Sequence, residues 1–390
     1  MNGQTARLSL IAFILAFLLA LLPHLARGAT PGEREQSLSP ERMVGSMLML
    51  GFRGTQEADD PVFWKALREG KVGHVLLFDK DRASGGLRNI RSPEQLRGLT
   101  ASLRRAAPLP PFIAVDDEGG NVRRCKPAYG FSALPSASLM GRERPERTWG
   151  RAGRLGRELH SVGVNVNLAP VADVNTNPGN PVIARLGRSF SPSPQIVSLH
   201  AWAFGQGLAA EGVVPVLKHF PGHGSSRFDT HRGTADITET WQAAELQPFQ
   251  DCFAAGWPGM VMVGHVSHRG MDARLPASLS PAVIEDLLRR RMGWRGVVIS
   301  DDLMMDAVAR RFTLKQIVLL AVAAGNDILV FGNNTAQPDP DLPEKVHAVF
   351  MELIRDGSIP LWRIQQSRER IEALRRTLDV PLRGACRRTF

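Results

Sequence analysis

Apolar residues along this chain gather into short, β-branched runs, separated by longer stretches where apolar positions recur at helical spacing. Eight such runs, at 47–51, 75–78, 112–115, 164–167, 213–217, 260–263, 297–299 and 328–331, read as strands. Their near-continuous apolarity is that of parallel strands buried on both faces. Amphipathic patterns predict helices over 93–105, 148–161, 195–211, 238–255, 281–292 and 314–324. A cap-and-proline signal opens two helices, at Ser39-Pro40-Glu41 and again at Ser280-Pro281, and Gly212 supplies a C-terminal stop. Strand alternating with helix eight times over about 330 residues predicts an α/β fold, a (β/α)8 TIM barrel forming a single catalytic domain. A doubly wound open sheet is the alternative. It would usually place a Gly-rich phosphate loop after its first strand, and none is there.

A barrel carries its chemistry at the C-terminal ends of its strands. Polar and charged residues cluster there: Asp116, Asp117 and Glu118 after the third run, Lys218 and His219 after the fifth, His265 after the sixth, Asp301 and Asp302 after the seventh, Asn333 after the eighth. Charged groups are costly to bury, so their recurrence at the ends of apolar runs points to a polar pocket. The densest stretch is KHFPGHGSSRFDTHRG, residues 218–233. Asp229 and His231 stand two apart, a spacing that in an extended loop aims both side chains the same way, so the carboxylate can orient and charge-stabilise the imidazole. Two other readings stay open: a metal site from His219, His223, Asp229 and His231, or a loop whose histidines cap backbone groups.

Consecutive strand residues point to opposite sides, so only one of Asp301 and Asp302 is expected to face the pocket. Asp301 is the choice, with Asp302 as the N-cap of the next helix. Retaining glycoside hydrolysis needs a carboxylate nucleophile and a separate proton donor. Asp301 suits the first role and His231, backed by Asp229, the second. Asp116, Arg124, Arg188, Lys218 and His219 are placed to hold sugar hydroxyls and acetamido groups through charge-assisted hydrogen bonds. For Arg188 an ordinary ion pair remains the competing role.

Composition trims the possibilities. The formal charge of +10 over 390 residues is dispersed, aromatics are sparse with one Tyr, and no aromatic-basic interleaving is present, so no nucleic-acid partner is expected. Cys125, Cys252 and Cys386 match no metal or redox spacing. Arg7 followed by the uncharged stretch 8–22 and small residues near Gly28 reads as a signal peptide over 1–28. An uncleaved membrane anchor is the alternative. A linker over 29–38, the barrel over 39–380 and a basic tail over 381–390 complete the expected organisation.

KHFPGHG followed by DTH, with VDDEGG, NLAPVADVNTNPGNPV, RLGRSFS and SDDLMM, closely resembles glycoside hydrolase family 3, in particular its β-N-acetylhexosaminidase (NagZ-like) branch. The resemblance implies a TIM barrel, Asp301 as nucleophile, His231 with Asp229 as acid/base dyad, and Asp116, Arg124, Arg188, Lys218 and His219 as sugar-binding positions. It implies removal of terminal β-linked N-acetylglucosamine (GlcNAc), often from muropeptide fragments, with no cofactor and no metal. The family's DQEGGRVQR reads DDEGGNVRR here, with Asp117, Asn121 and Arg123 departing. A β-glucosidase or GlcNAc phosphorylase of the same family, a zinc-dependent barrel hydrolase and a non-catalytic peptidoglycan-binding protein are the competing functions. The expected setting is peptidoglycan turnover by an exported, periplasmic monomer, touching membrane only through an uncleaved leader.

Overall fold

A computed structural model describes residues 38–230 and 233–378. The leader, the basic tail, Cys386 and His231 lie outside the described residues. Eight parallel strands close into a barrel: β1 Leu48–Gly51, β2 His74–Leu76, β3 Ile113–Val115, β4 Val166–Asn167, β5 Val214–Phe220, β6 Met260–Val263, β7 Val298–Asp302 and β8 Ile328–Phe331. Each strand pairs with its neighbours in sequence, and β8 returns to β1 through Leu48↔Leu329 and Met49↔Val330. All eight expected strands are present. The α/β barrel is therefore the fold.

Alternate residues from the strands fill the barrel, among them Met49, Ala114, Val166, Val214, Val216, Met260, Met262, Ile299 and Val330, each 3% exposed or less. Period-two alternation explains the choice, since residues i and i+2 share a face. Their burial, at about 1.5–3 kcal/mol for each large side chain, makes the strands rigid mounts for the loops at their C-terminal ends. The helix Leu361–Leu378 closes the N-terminal mouth, packing Ile371, Leu374 and Leu378 against the same cluster. Buried Asp327 fastens it there, accepting from Ser367 Oγ at 2.7 Å and Arg370 at 2.9 Å. Reactive groups are thereby left to the opposite mouth.

The helical pattern differs from expectation in two respects. The segment 238–255, expected as one helix, is a turn, the 3-10 turn Ala243–Leu246 and the helix Gln247–Ala254. The strand Ala235–Asp236, paired with Val266–Ser267, ends just before it, and Asp236 turns the chain at its start by accepting the Thr238 backbone N–H at 2.9 Å. Helices Pro61–Glu69 and Leu342–Arg355, not among the expected elements, complete the outer ring. Pro61 and Pro343, each in a first turn, mark their starts.

Candidate active site

A cavity of about 1150 Å3 occupies the C-terminal mouth. Asp116, Arg124, Arg188, Lys218, His219, Asp229 and Asp301 all line it, together with His223 and Thr230. Their recruitment follows the strand order, because residues just past β3, β4, β5 and β7 emerge around one opening.

On the β3–β5 side the charges form one buried chain. Lys218 Nζ lies 2.8 Å from Asp116 Oδ1 and 2.8 Å from Glu118 Oε1. Arg188 grips Glu118 with both arms, at 2.7 and 2.8 Å. Burial pushes the Glu118 carboxyl up, but Arg188 and Lys218 outweigh it and hold the group at about 2. Burial likewise works against ionised Asp116, and Lys218 and then Arg124 keep it below the usual carboxylate range. Lys218 is raised because its two carboxylates more than offset its desolvation. All three groups are thus charged at neutral pH. Arg124 approaches Asp116 at 3.5 Å and Asp79 at 3.8 Å, and its buried Nε–H has no hydrogen-bond partner among the described residues. An incoming polar group can take that donor.

His219, across a cis peptide from Lys218, is oriented by Asp173, whose Oδ2 lies 2.7 Å from Nδ1. With Nδ1–H given to Asp173, Nε2 can accept from Arg188 at 3.4 Å. Asp173 Oδ1 also accepts the backbone N–H groups of His219 and His223, at 3.2 and 2.8 Å. These contacts keep Asp173 ionised despite its burial. Neither Asp173 nor Asp79 stands out in the sequence, although each follows an apolar run, PVA in one case and VLLF in the other. Glu118 is visible at its strand end but acquires a role only in the folded chain.

The loop after β5 is fixed at its base. Asn180 donates to the carbonyls of His223 and Gly224, at 2.8 and 3.1 Å, and Asn177 to that of Ser226 at 2.9 Å. A Cβ on Gly224 would sit 1.7 Å from the Val174 carbonyl oxygen, so only glycine fits this approach. Buried Glu245 accepts from the backbone N–H groups of Ser225 and Gln242. Desolvation pushes its carboxyl up to about 7. His223 is buried at the cavity wall with Nε2 3.4 Å from Thr230 Oγ1. Burial lowers it to about 4, so it is neutral. The Thr230 carbonyl accepts from the Ala307 backbone N–H at 3.3 Å, which ties the loop to the segment following β7. Asp229 faces the cavity one residue earlier.

Asp301, next to last in β7, lines the cavity, and its Oδ1 accepts the Asp302 backbone N–H at 2.8 Å. The expectation that Asp302 points away and caps a helix is corrected: both aspartates line the cavity. The cause is a register shift against β8 between Ile299 and Asp302, which breaks the strict alternation of sides. Asp302 Oδ1 accepts from Met304 and Gly332, both at 3.0 Å, stitching β7 to β8, while Met305 stands at the N-cap of the next helix. Asp302 is raised, first by desolvation and further by Asp301. His265 fixes the same turn, donating from Nε2 to the Asp302 carbonyl at 2.9 Å with Nδ1 accepting from Ser278 at 2.6 Å.

The departures at Asp117 and Arg123 explain one another. They pair across the short hairpin Asp117–Gly119/Val122–Arg123, with Nε 2.5 Å from Oδ1 and both side chains almost fully buried. Neither lines the cavity. Among the described residues no three His, Cys, Asp or Glu side chains are grouped to hold a metal ion. Cys125 and Cys252 are buried free thiols.

Residues 41–374 match the model of the glycosyl hydrolase family 3 N-terminal domain. A beta-hexosaminidase of Xylella fastidiosa (strain M23) is 40% identical over 272 residues, covering 67% of this chain and 76% of the relative. Beta-hexosaminidase A of Pseudoalteromonas piscicida is 31% identical over 328 residues, and there the match takes in 75% of this chain but only 53% of the relative. A solved glycoside hydrolase family 3 beta-N-acetylglucosaminidase from Paenibacillus sp. str. FPU-7 superposes with a TM-score of 0.80 at 31% identity, covering 88% of this chain and 64% of that one.

Proposed function

The chain belongs to glycosyl hydrolase family 3 and is a glycoside hydrolase, and from that premise we propose that it is a retaining exo-β-N-acetylglucosaminidase. Asp301 is the nucleophile, attacking the anomeric carbon to give a covalent glycosyl-enzyme. His231, charge-stabilised by Asp229, protonates the departing oxygen and, once neutral, deprotonates the water that frees the sugar. Asp116, Lys218, Arg188, Arg124 and His219 bind the sugar, with Glu118 and Asp173 as the anions that set their positions. One observation carries the reading: Asp301 and Asp229 reach the same cavity from two separate arms, β7 and the β5 loop, beside a preorganised charged wall. Names of relatives supply the sugar, since those compared are beta-hexosaminidases and a beta-N-acetylglucosaminidase.

The leader and the charge suggest the setting. We place the enzyme outside the cytoplasm, acting on terminal GlcNAc of cell-wall muropeptide fragments as a monomer. Turnover of aryl β-GlcNAc against aryl β-glucoside, with and without phosphate, tests the reaction. Fast release of free GlcNAc, no faster with phosphate, is expected. Strong β-glucosidase activity without action on the GlcNAc substrate, or a sugar phosphate as product, would overturn it.

A further inference from the structure

The sugar-binding charges occupy only one side of the cavity. In the closed strand order β1 lies opposite β5, and β2 and β8 flank β1. The loops after β2 and β8 therefore face Lys218 and His219 across the opening, with Asp301 on β7 between the two sides. Those loops line the cavity through Lys80–Arg82, Gly85 and Asn334–Gln337. The volume, about 1150 Å3, lies above the ~300–1,000 Å3 typical of pockets for drug-sized ligands. One hexosamine leaves much of it empty.

This second wall is firmly built. Asn334 joins its two loops as a strand would, accepting the Arg82 backbone N–H at 2.9 Å and donating to the Lys80 carbonyl at 3.0 Å. Asn333 folds its own loop the same way, exchanging hydrogen bonds with the Asp339 backbone at 2.7 and 2.9 Å. It does so from φ 47°, the one left-handed non-glycine conformation among the described residues. Arg88, 1% exposed, donates to the carbonyls of Phe52, Gly332 and Asn333, at 2.7, 3.2 and 3.0 Å. Backbone here is pinned more heavily than a surface loop requires.

The wall's charges are unequally committed. Asp79 is taken by Lys126, Asp81 by Arg53 at 2.8 Å, and Asp306 by Arg310 at 2.9 Å. Lys80 and Arg82 are exposed at the cavity and, among the described residues, make no ion pair. Two uncommitted cations on a rigid wall, facing the sugar site across the nucleophile, suit an anion on the other half of the substrate. We infer that the Lys80–Arg82 and Asn334–Gln337 wall is the leaving-group subsite, and that Lys80 and Arg82 select leaving groups bearing a carboxylate. Asn334 is the positioning residue that holds them there. The inference rests on the reaction proposed above and names its substrate class.

A matched pair tests it: GlcNAc β-1,4-linked to N-acetylmuramic acid with its lactyl carboxylate free, and the same disaccharide as methyl ester. The full-length wild type should show kcat/KM about tenfold higher for the acid, a preference that shrinks as salt rises. Lys80→Met with Arg82→Gln should bring the ratio close to one, through KM of the acid. Both side chains are exposed, so folding is preserved. Asn334→Ala should lower the ratio in the same way. Equal rates on acid and ester in the wild type, or an undiminished ratio in the Lys80/Arg82 variant, would overturn the subsite. A wild type that leaves aryl β-GlcNAc intact would instead overturn the reaction, and the subsite with it.

Discussion

Replacing Lys218 with Met tests the charged wall. The substitution keeps most of the side-chain volume and removes the cation that Asp116 and Glu118 share at 2.8 Å. Removing one partner of a buried pair costs roughly 3–5 kcal/mol. The structure gives a second route to the size: Glu118 is held at about 2 instead of its ordinary 4.5, which corresponds to about 3 kcal/mol divided between Arg188, the larger contributor, and Lys218. A loss of about 3 kcal/mol should lower the thermal midpoint by roughly 5–10 °C. Glu118 is a depressed carboxylate. Its stabilisation is present above the unfolded value and is lost as pH falls from there towards its folded value. The gap between wild type and Lys218→Met should therefore narrow on acidification, by about 1 kcal/mol between pH 7 and pH 3.5. Melting followed by circular dichroism at pH 7, 5 and 3.5 measures both. A gap under about 1 kcal/mol at pH 7, or one that stays constant or widens at pH 3.5, would refute the electrostatic argument.

Other perturbations probe the remaining parts. Asp173→Asn removes the anion that orients His219, and losing one charged hydrogen bond, about 1.5–3 kcal/mol, should lower kcat/KM on aryl β-GlcNAc by about 10–100-fold with the fold retained; an unchanged value would count against His219 in sugar binding. Glu245 is raised to about 7, so its folded form favours the proton, and stability should fall as pH rises from about 4.5 through 7, by up to about 3 kcal/mol. Glu245→Gln should flatten that part of the midpoint-against-pH curve, and an identical curve would refute it. Asp117→Gln alone strands buried Arg123 and should cost roughly 3–5 kcal/mol, while the double change with Arg123→Gln should recover most of it; additive losses in urea melts would show that the pair is not coupled. His231→Ala should slow substrates with poor leaving groups by about 10²–10⁴-fold and activated aryl glycosides much less, and equal losses would remove it as the leaving-group acid.

The barrel was legible because parallel strands buried on both faces must be apolar throughout, and such runs as VVPVL and ILVF can hardly be anything else. The residues past their ends followed from the same logic. Asp301 and the Lys218–His219 pair needed no long-range information. What escaped depended on pairings distant in sequence. Asp173 matters because it meets His219, 46 residues away. The reach of Arg88 to the Asn333 carbonyl spans 245 residues. Local alternation also misjudged Asp302, because the register of β8 against β7 decides which way that side chain faces. The helix expected over 238–255 begins only at Gln247, because the chain leaves the strand Ala235–Asp236 through a turn in which Asp236 accepts from the Thr238 backbone and hydroxyl.

The central claim is that Asp301 becomes covalently joined to the sugar. Incubating the full chain with a fluorinated β-GlcNAc glycoside, whose glycosyl-enzyme forms faster than it breaks down, allows digestion and mass spectrometry of the trapped peptide. One sugar residue added to the peptide spanning β7, located on Asp301 and absent from the Asp301→Asn variant, is the predicted result. An adduct on Asp302 or any other residue, or turnover that releases the α-anomer first, would contradict the account.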